Sequence, residues 1–433
     1  MSHKLPVGDY EWMSREELEN FDIKSQNFES DYGHVFSVTL SYPKEKMLDH
    51  NGYPLASDHM EVSYDELSTH SKMWLEDLGL KYVPVKKLTA TFHTKKEYVL
   101  NGMNLKLYLE LGLHLEQLHF GIKYKQGDYM AKFVNEQSEA RRTAVTKIES
   151  MIWKRVVNCC FGKMIESGNR RMDVYFSRSK ERCTRLNTDP RFAGFKICGD
   201  NLVLQLMKKK FVDLRRHWLI GHTILELSKF IMTSLFYKVI QPAFDKQAAV
   251  LMSDTDSFAL LLPVESPDEA CRRLSHVMDF SNLDPQHPMY DASRKSKIGF
   301  LKNESPHYRI VRFCALKAKT YAYETDAPIS VGEFNIKCKG VKKAAAKASL
   351  RFKNFKDCLT QSEVQLITQY SINAKNHVNR LVKIRKTAFQ KFDNKRFYTC
   401  NIHSVPFGSC LIDYYKANNA FRCYFCDNPH ILR

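Results

Sequence analysis

The sequence predicts an α+β fold, because strand-like and helix-like patterns alternate along its 433 residues. Residues 248–262 carry two apolar runs, each long enough for a buried strand, on either side of Asp-Thr-Asp-Ser at 254–257. Residues 138–157 place apolar side chains at near-helical spacing among charges. Residues 213–240 form a longer apolar pattern, which predicts a buried helix ending at Pro242.

The first part of the chain mixes short strands with helices. Ser14, followed three residues later by Glu17, fits a helix N-cap with a capping box, and residues 35–40 are typical of a strand. Residues 105–118 have helical spacing, although Gly112 weakens that helix. Further along, residues 317–323 alternate as an exposed strand does.

Composition indicates a globular protein with a polyanionic partner. Hydrophobic residues make up 44% of the chain, and no apolar run reaches the ~18 residues of a membrane helix. The N-terminus has no signal-peptide core, so we expect a soluble, intracellular protein with no membrane partner. The net charge is +18, and residues 337–396 carry sixteen Lys and Arg against three acidic residues. This block, which we expect to be mostly helical, predicts nucleic acid as the partner; a solvated basic surface is the alternative.

The carboxylates of Asp254 and Asp256 are the candidate reactive groups. Two carboxylates at a strand–turn–strand tip are hard oxygen ligands suited to Mg²⁺ or Mn²⁺. An ordinary hairpin turn is the alternative, since Asp, Ser and Thr all favour turns. A calcium loop is excluded, because Phe258 stands where an oxygen ligand belongs and Ala259 where a glycine belongs.

The predicted helix at 138–157 has a polar face. Lys147 and Lys154 lie seven residues apart, Asn158 continues their face, and Gly162 ends the pattern. The solvated side of a surface helix is the ordinary explanation of such a face.

The twelve cysteines show no secreted disulfide framework, which predicts reduced thiols. Cys423-Tyr-Phe-Cys426, with His430 nearby, is half of a zinc-site pattern. No convincing second pair faces it in the sequence, so metal binding there is the minor alternative.

Three motifs stand in an order that resembles family B DNA polymerases. In the order fingers, palm and primer-end motif, they are Lys154-x-x-x-Asn158-Cys-x-Phe161-Gly162, Asp254-Thr-Asp256-Ser257 and Lys319-Thr-Tyr321. Further stretches resemble the protein-primed branch of organellar plasmids, viruses and Maverick/Polinton transposons. They are Asn135, Arg141-x-x-Ala144, Phe161-Gly-Lys-x-x-Glu166, Leu225-Glu-Leu-Ser-Lys229, Asp279-Phe-Ser-Asn282 and Lys339-Gly-Val-Lys342. The resemblance runs from the first residues to about Ile412, and the shared order makes it specific.

The resemblance implies a right-hand polymerase, with an antiparallel palm sheet that includes the Asp-Thr-Asp hairpin, helical fingers and a mostly helical basic thumb. The implied segments are 1–130 (palm and insertion region), 131–200 (fingers), 201–305 (palm with the metal-binding hairpin), 306–412 (Lys-x-Tyr strand and thumb) and 413–433 (Cys-containing tail).

The resemblance also implies roles for individual residues. Asp254 and Asp256 would be catalytic and hold Mg²⁺ (or Mn²⁺), as two-metal phosphoryl transfer requires. The implied nucleotide-binding residues are Arg141, Lys154, Asn158, Phe161 and Gly162. The implied DNA-binding residues are Lys319, Tyr321, Lys339 and Lys342. The implied partners are a DNA primer–template, deoxynucleoside triphosphates and a priming terminal protein.

The sequence departs from the family pattern at several positions. Met252, Cys159 and Phe161 stand where the family usually has Tyr, Ser and Tyr. The family has a further metal-binding Asp in Asp-x-x-x-Leu-Tyr; residues 37–42 are similar, but Ser37 occupies the Asp position. That stretch better resembles the segment that follows the motif, and no exonuclease Asp-x-Glu precedes it. We therefore expect the C-terminal part of a polymerase, truncated within the palm.

The predicted function is that of a DNA-directed DNA polymerase of transposon or viral origin. The alternative is a non-catalytic DNA-binding remnant that lacks one metal ligand. Accidental motif matches are a third explanation, which the shared order and spacing disfavour. The sequence leaves the compartment open between the nucleus and a viral or organellar replication site.

Overall fold

Helices and strands occupy similar shares of the protein, 33% and 31%, which confirms the α+β prediction. The computed structural model describes residues 1–166, 171–211, 218–327, 334–375, 378–418 and 422–428. Contacts divide the chain into two units. Unit 1 comprises Met1–Pro6, Asp128–Leu225 and Ser371–Val382, and unit 2 comprises Val7–Gly127, Glu226–Tyr370 and Lys383–Arg433. The polymerase segment boundaries implied by the resemblance stay predictions.

Strands and helices are interspersed throughout the described residues. The strands are β1 (Leu5–Trp12), β2 (Tyr32–Ser41), β3 (Asp58–Met60), β4 (Lys87–Thr89), β5 (Lys95–Asn101), β6 (His114–Gly127), β7 (Met172–Ser177), β8 (Phe192–Gly199), β9 (Leu202–Lys208), β10 (Ala249–Asp254), β11 (Ser257–Leu261), β12 (Ile310–Lys317), β13 (Thr320–Thr325), β14 (Phe334–Cys338), β15 (Gln365–Lys375), β16 (Val378–Phe389), β17 (Phe397–Tyr398) and β18 (Ser404–Val405). The α-helices are α1 (Arg15–Glu19), α2 (Lys44–Met47), α3 (Thr69–Asp77), α4 (Gly102–Glu110), α5 (Ala131–Thr143), α6 (Lys147–Met164), α7 (Lys180–Asn187), α8 (Trp218–Ser234), α9 (Gln241–Ala243), α10 (Pro267–Arg273), α11 (Lys343–Ser349), α12 (Phe352–Gln361), α13 (Cys410–Ala417) and α14 (Tyr424–Asp427).

A four-stranded sheet of unit 2 contains the first predicted strand. Its order is β1-β6-β2-β5, and β2 runs antiparallel to both β5 and β6. Phe36, Val38 and Leu40 alternate along β2 and are almost fully buried, because period-two spacing turns one face of a strand to the core. Leu105 and Tyr108 of α4 join them in that core. The strand predicted at 35–40 is confirmed.

Local end signals determine two helices near this sheet. Before α1, the Ser14 hydroxyl accepts the Glu17 N–H at 3.2 Å and Glu17 accepts the Ser14 N–H at 2.7 Å, which confirms the predicted capping box. The helix predicted over 105–118 is wrong in its second half, which is strand β6. Gly112 takes φ +102 between α4 and β6. Because glycine adopts that conformation without strain, it ends the helix outright.

The helix predicted over 138–157 is in fact two helices of unit 1, α5 and α6. Ala144 is extended between them (ψ 128), and α6 continues beyond Gly162. Thr146 begins α6, because its hydroxyl accepts the Glu149 N–H at 3.1 Å. Thr-x-x-Glu is a helix-start signal. The apolar spacing continues across it, so the spacing alone indicated a single helix. Unit 1 also contains α7 and a three-stranded sheet, β7-β9-β8, which the sequence did not predict.

The long apolar helix continues through three segments. After α8, a π-helical stretch at Leu235–Ile240 leads into α9, so the helical run ends just beyond Pro242. The predicted start at 213 lies outside the described residues. By length and composition alone, Trp218–Ala243 is long and apolar enough to cross a membrane, and half of its most apolar window is buried within the protein. One such helix is weak evidence for a membrane span, because core helices and signal sequences pass the same test.

Glu226 is the polar centre of this helical run. It is buried, and its carboxylate accepts hydrogen bonds from the Asn101 N–H at 3.2 Å and the Asn104 side-chain amide at 2.8 Å. Lys229 forms an ion pair with it at 2.6 Å. A buried carboxylate satisfied in this way ties the helix to α4 and its N-cap.

The basic block at 337–396 is not mostly helical, contrary to the prediction. It holds α11 and α12, but the longer elements are β15 and β16, which form a two-stranded sheet. Ser362 takes φ +58 and ends α12. The segment 365–372 that follows is rich in β-branched and aromatic residues, which favour strands. The positive charge of the basic block is equally compatible with helices and with strands.

Candidate functional site

The Asp-Thr-Asp segment lies at the turn of the predicted hairpin, β10–β11, in unit 2. Asp254 pairs with Ser257, so Thr255 and Asp256 form a two-residue turn. Thr255 takes φ +59, and the Asp256 N–H donates to the Asp254 carbonyl at 2.7 Å. A β-branched residue with positive φ is strained by roughly 1–2 kcal/mol, and such strain is concentrated at functional sites. The turn presents both carboxylates at the hairpin tip.

The two carboxylates have different surroundings. Asp254 Oδ1 lies 3.1 Å from Lys319 Nζ and accepts the Thr255 hydroxyl at 3.2 Å. Asp256 is exposed, and its carboxylate has no hydrogen-bond or ion-pair partner among the described residues. The side chains of the Asp254–Lys319 pair are 39% and 59% exposed, so the pair contributes at most about 1 kcal/mol to stability. Its main effect is therefore to position Asp254, while Asp256 remains available to a ligand.

Lys319 reaches the hairpin from a turn, not from a strand. β12 ends before it and Thr320 begins β13, so the strand predicted over 317–323 is wrong in its first half. Lys319 takes φ +61, and its carbonyl accepts the Lys339 N–H at 3.1 Å. The turn contains no Gly, Pro, Asn or Asp, the residues that usually mark turns, so the sequence pattern did not reveal it.

Tyr321 belongs to an aromatic face on the sheet of β12, β13 and β14. Its ring stacks on Phe313, with 5.5 Å between centroids and 20° between planes, and Tyr323 also stacks on Phe313 at 6.3 Å. Burial first, and then the negative charge of Asp254, raise the pKa of the Tyr321 hydroxyl above its usual value. The strand register places Lys337 opposite Tyr321. This face therefore combines aromatic rings with a cation beside the hairpin.

The opposite face of that sheet is a hydrophobic core. Cys314, Leu316 and Ala322 are buried there with apolar residues of α11 and α12. Phe355 of α12 is fully buried, and its ring packs on Phe389 at 4.2 Å. This core anchors the sheet on the side opposite its aromatic face.

Lys339 and Lys342 lie in the loop between β14 and α11. Gly340 takes φ +85 between them, and its carbonyl accepts the Lys386 ammonium at 2.6 Å. The Lys342 N–H donates to the Gln369 side chain at 2.9 Å. The side chains of both predicted DNA-binding lysines are exposed, so the loop presents them to solvent.

The predicted nucleotide-binding residues lie in unit 1. Arg141 is in the last turn of α5, while Lys154, Asn158 and Gly162 recur every four residues along α6, with Phe161 beside them. All except the partly buried Phe161 are exposed. A Cβ added at Gly162 would meet none of the described residues within 4 Å, so their packing does not require glycine there. The predicted site residues thus form two groups, one in each unit.

Tyr53 supports the hairpin and was not predicted as part of the site. Its ring lies 5.5 Å from Phe258 of β11 and 5.3 Å from Phe236. Its hydroxyl faces Ser253 and Thr233, and burial raises its pKa. No sequence signal connects Tyr53 with a hairpin so distant along the chain.

Asp254 and Asp256 offer two carboxylates to a metal ion. Outside the cysteine-rich C-terminal region, no three His, Cys, Asp or Glu side chains of the described residues are close enough to share an ion. Mg²⁺ is commonly held by one or two carboxylates, with water and phosphate oxygens completing its coordination. The Lys319 ammonium already lies beside Asp254, so a cation is favourably placed at the hairpin tip. The donor set therefore fits Mg²⁺ or Mn²⁺ that arrives with a phosphate.

The sequence matches no known family and no curated protein, but the structure resembles solved structures. Phi29 DNA polymerase complexed with primer-template DNA (post-translocation binary complex) matches with a TM-score of 0.52 at 15% identity, over 89% of this chain and 55% of the polymerase. The chain shares the fold of part of Phi29 DNA polymerase. The orthorhombic form of that polymerase, and its ternary complex with primer-template DNA and incoming nucleotide substrates, match with TM-scores of 0.51 and 0.50. Each of these is 15% identical and covers 90% of this chain and 55% of the polymerase. This chain thus spans about half the length of Phi29 DNA polymerase.

Proposed function

We propose that the chain is the part of a DNA-directed DNA polymerase that adds deoxynucleotides to a primer end. The observation that carries the proposal is the proximity of Asp254, Lys319 and Tyr321. Two motifs that resemble the palm and primer-end motifs of family B polymerases meet there, in a chain with the fold of part of Phi29 DNA polymerase. In its finer form, the proposal assigns the chain to the protein-primed branch of transposon or viral origin.

Asp254 and Asp256 would hold Mg²⁺ or Mn²⁺ at the hairpin tip. When bound, two such ions lower the pKa of the primer hydroxyl and neutralise the leaving pyrophosphate. Asp256 is exposed and has no partner among the described residues, so its carboxylate is free to bind an ion directly. Lys319 would orient Asp254 and neutralise part of its charge before substrate binds.

The primer strand would lie along the aromatic face and the lysines around it. Ammonium groups of Lys319, Lys337 and Lys339 suit phosphates, and the partly buried rings offer surface to sugars and bases. Lys342 would extend these phosphate contacts along the backbone of the primer strand. Phosphate contacts carry no sequence information, which is what an enzyme that copies any template requires.

The incoming nucleotide would bind the exposed face of α6 and the end of α5. Arg141 and Lys154 supply positive charge for a triphosphate. Asn158, Phe161 and Gly162 would lie against the base pair that forms. The open space at Gly162 supports this assignment, because none of the described residues fills the place of the missing side chain.

A non-catalytic DNA-binding remnant is the second candidate. Asp254 and Asp256 have no third carboxylate beside them among the described residues. Ser37, which stands in the Asp position of the further metal motif, lies within β2 and pairs with Val99 and Phe120. Loss of a metal ligand removes charge stabilisation from the transition state but leaves phosphate binding intact. The remnant would bind duplex DNA without adding nucleotides.

Template-directed primer extension with the purified chain tests the proposal. We expect Mg²⁺-dependent incorporation, which Asp256→Asn should lower by at least about 100-fold, because the metal would lose a charged ligand. Asp245→Asn is a matched control, since Asp245 is exposed, takes φ +52 and precedes the same hairpin, and Asn tolerates that conformation. The control should retain full activity.

The outcomes separate the two candidates. Incorporation that is unchanged by Asp256→Asn would reject the assigned site. Absence of incorporation, together with duplex affinity that falls steeply with salt, would support the remnant. Duplex affinity that is insensitive to salt would reject both.

A further inference from the structure

Four side chains with metal-binding atoms meet near the C-terminal end of unit 2. They are Cys400, His403, Cys423 and Cys426, and their ligand atoms all lie within 4.8 Å of one another. His403 Nδ1 is 3.3 Å from the Cys400 sulfur, 3.5 Å from that of Cys423 and 3.4 Å from that of Cys426. The pair that faces Cys423 and Cys426 is thus Cys400 and His403; the earlier candidate, His430, lies outside the described residues.

These separations match the edges of a tetrahedral zinc site. With Zn–S bonds of about 2.3 Å and a Zn–N bond of about 2.0 Å, tetrahedral angles place two sulfurs about 3.8 Å apart and a sulfur and a nitrogen about 3.5 Å apart. The Cys400 and Cys426 sulfurs are 3.9 Å apart, and all three sulfurs lie 3.3–3.5 Å from His403 Nδ1. The four atoms therefore surround a space of the size that a tetrahedral ion needs.

Backbone hydrogen bonds position both ligand pairs, Cys400 with His403 and Cys423 with Cys426. Cys400 and His403 lie in the short loop between β17 and β18, where the Cys400 sulfur accepts the N–H groups of Ile402 at 3.4 Å and His403 at 3.2 Å. Cys423 precedes α14 and Cys426 lies within it, and the Cys426 N–H donates to the Cys423 carbonyl at 3.0 Å. Backbone N–H groups aimed at sulfur stabilise a thiolate and orient it, as outer-sphere partners of metal ligands do.

The elements that carry the four ligands are short. β17 and β18 have two residues each, and α14 has four. Cys423 and Phe425 are buried in a cluster with Phe397, Val405 and Tyr415, while Cys426 is exposed. A metal ion would therefore link the β17–β18 loop to the C-terminal segment and still be reachable from solvent.

We propose that Cys400, His403, Cys423 and Cys426 bind one structural Zn²⁺ ion. Thiolate and imidazole ligands select zinc over Mg²⁺ or Ca²⁺, and four protein ligands leave no position open for a substrate. The two pairs have Cys-x-x-His and Cys-x-x-Cys spacing, with nineteen residues between them, as in short zinc modules. Binding releases the protons of the three thiols and adds its free energy to folding. None of the four residues belongs to the polymerase site, so the inference is independent of that function.

A disulfide is the main chemical competitor, and the geometry disfavours it. The Cys400 and Cys426 sulfurs are 3.9 Å apart, far beyond the ~2.05 Å of a disulfide bond. All twelve cysteines, including these three, are free. A disulfide would also leave the His403 imidazole without a role at the centre of the sulfurs.

Metal analysis of the purified full-length chain tests the site. We expect elemental mass spectrometry to find one zinc ion per chain. Substitution of Co²⁺ for zinc should produce the absorption bands of tetrahedral cobalt with thiolate ligands. Cys423→Ser should lower zinc affinity by more than about tenfold. Removing zinc with a chelator should lower the thermal unfolding midpoint of the native chain. Cys198→Ser, which changes a partly buried cysteine of β8 in unit 1, is the matched control and should retain zinc.

His403→Cys separates loss of a ligand from loss of folding. Four thiolates also form a zinc site, so this variant should keep its metal, whereas His403→Ala should lose it. A folded native chain that carries only traces of zinc and shows no cobalt bands would overturn the proposal. So would a Cys423–Cys426 disulfide in unreduced peptides, or a folded His403→Cys chain without zinc.

Discussion

Replacing Gly162 with alanine should stabilise α6 and impair nucleotide use at the same time. Glycine in a helix costs roughly 0.5–1 kcal/mol relative to alanine, because its unfolded chain is more flexible. A Cβ at this position would meet no atom of the described residues within 4 Å, so no clash with them offsets the gain. Gly162 lies in the last turn of the helix. We therefore expect the lower end of that range, about 0.5 kcal/mol, which slows amide exchange in α6 about twofold.

Hydrogen exchange of α6 peptides and single-nucleotide incorporation measure the two effects. Incorporation efficiency, kcat/KM for the nucleotide, should fall by roughly tenfold or more, since a methyl group between helix and base pair displaces the pair by about 1 Å. Gly221→Ala in α8 is a contrasting control in the same unit. The added Cβ would lie 2.0 Å from a methyl carbon of Ile165. Because of that clash, Gly221→Ala should speed amide exchange in the α6 peptides.

Faster exchange in the α6 peptides of Gly162→Ala would refute the placement of Gly162 in open space. Slower exchange with unchanged incorporation would confirm the helix argument and remove Gly162 from the nucleotide site. Slower exchange with reduced incorporation is the expected combination, and no general loss of folding produces it.

Three further changes test other parts of the structure. Glu226→Gln should lower the free energy of unfolding by about 1–3 kcal/mol, because the buried carboxylate accepts hydrogen bonds from two asparagines and pairs with a lysine. Thermal unfolding measures the change in stability. Glu110 forms an exposed ion pair, so the control Glu110→Gln should lower the free energy of unfolding by less than about 1 kcal/mol. Equal effects of the two substitutions would contradict the burial argument. Burial lowers the pKa of His50 to about 4, so between pH 6.5 and 4 the unfolded chain binds a proton that the folded chain does not. Stability should therefore be complete above pH 6.5 and fall as the pH drops towards 4, and His50→Gln should reduce that fall in urea midpoints; an identical pH profile would reject the assignment. Lys339→Ala should weaken duplex binding and make the slope of log affinity against log salt shallower by about one unit, while an unchanged slope would place Lys339 away from phosphate.

Elements whose signals are local were predictable from the sequence. The capping box of Ser14 and Glu17 needs only residues three positions apart, and the strand at 35–40 needs only period-two spacing. The hairpin around Asp254 and Asp256 was predictable for the same reason, since apolar runs and turn residues are neighbours in the chain. The break between α5 and α6 also had a local signal at Thr146, which the continuing apolar period obscured.

Sequence patterns are therefore sufficient for the α+β character, the basic charge and the chemistry of the motifs. Which of those groups meet depends on how the folded chain packs. Lys319 reaches Asp254 from a turn without turn residues, and Cys400 and His403 meet Cys423 and Cys426 across an intervening helix. The reason is physical: capping, turns and periodicity act over a few residues, whereas these contacts depend on how separate segments pack around shared cores.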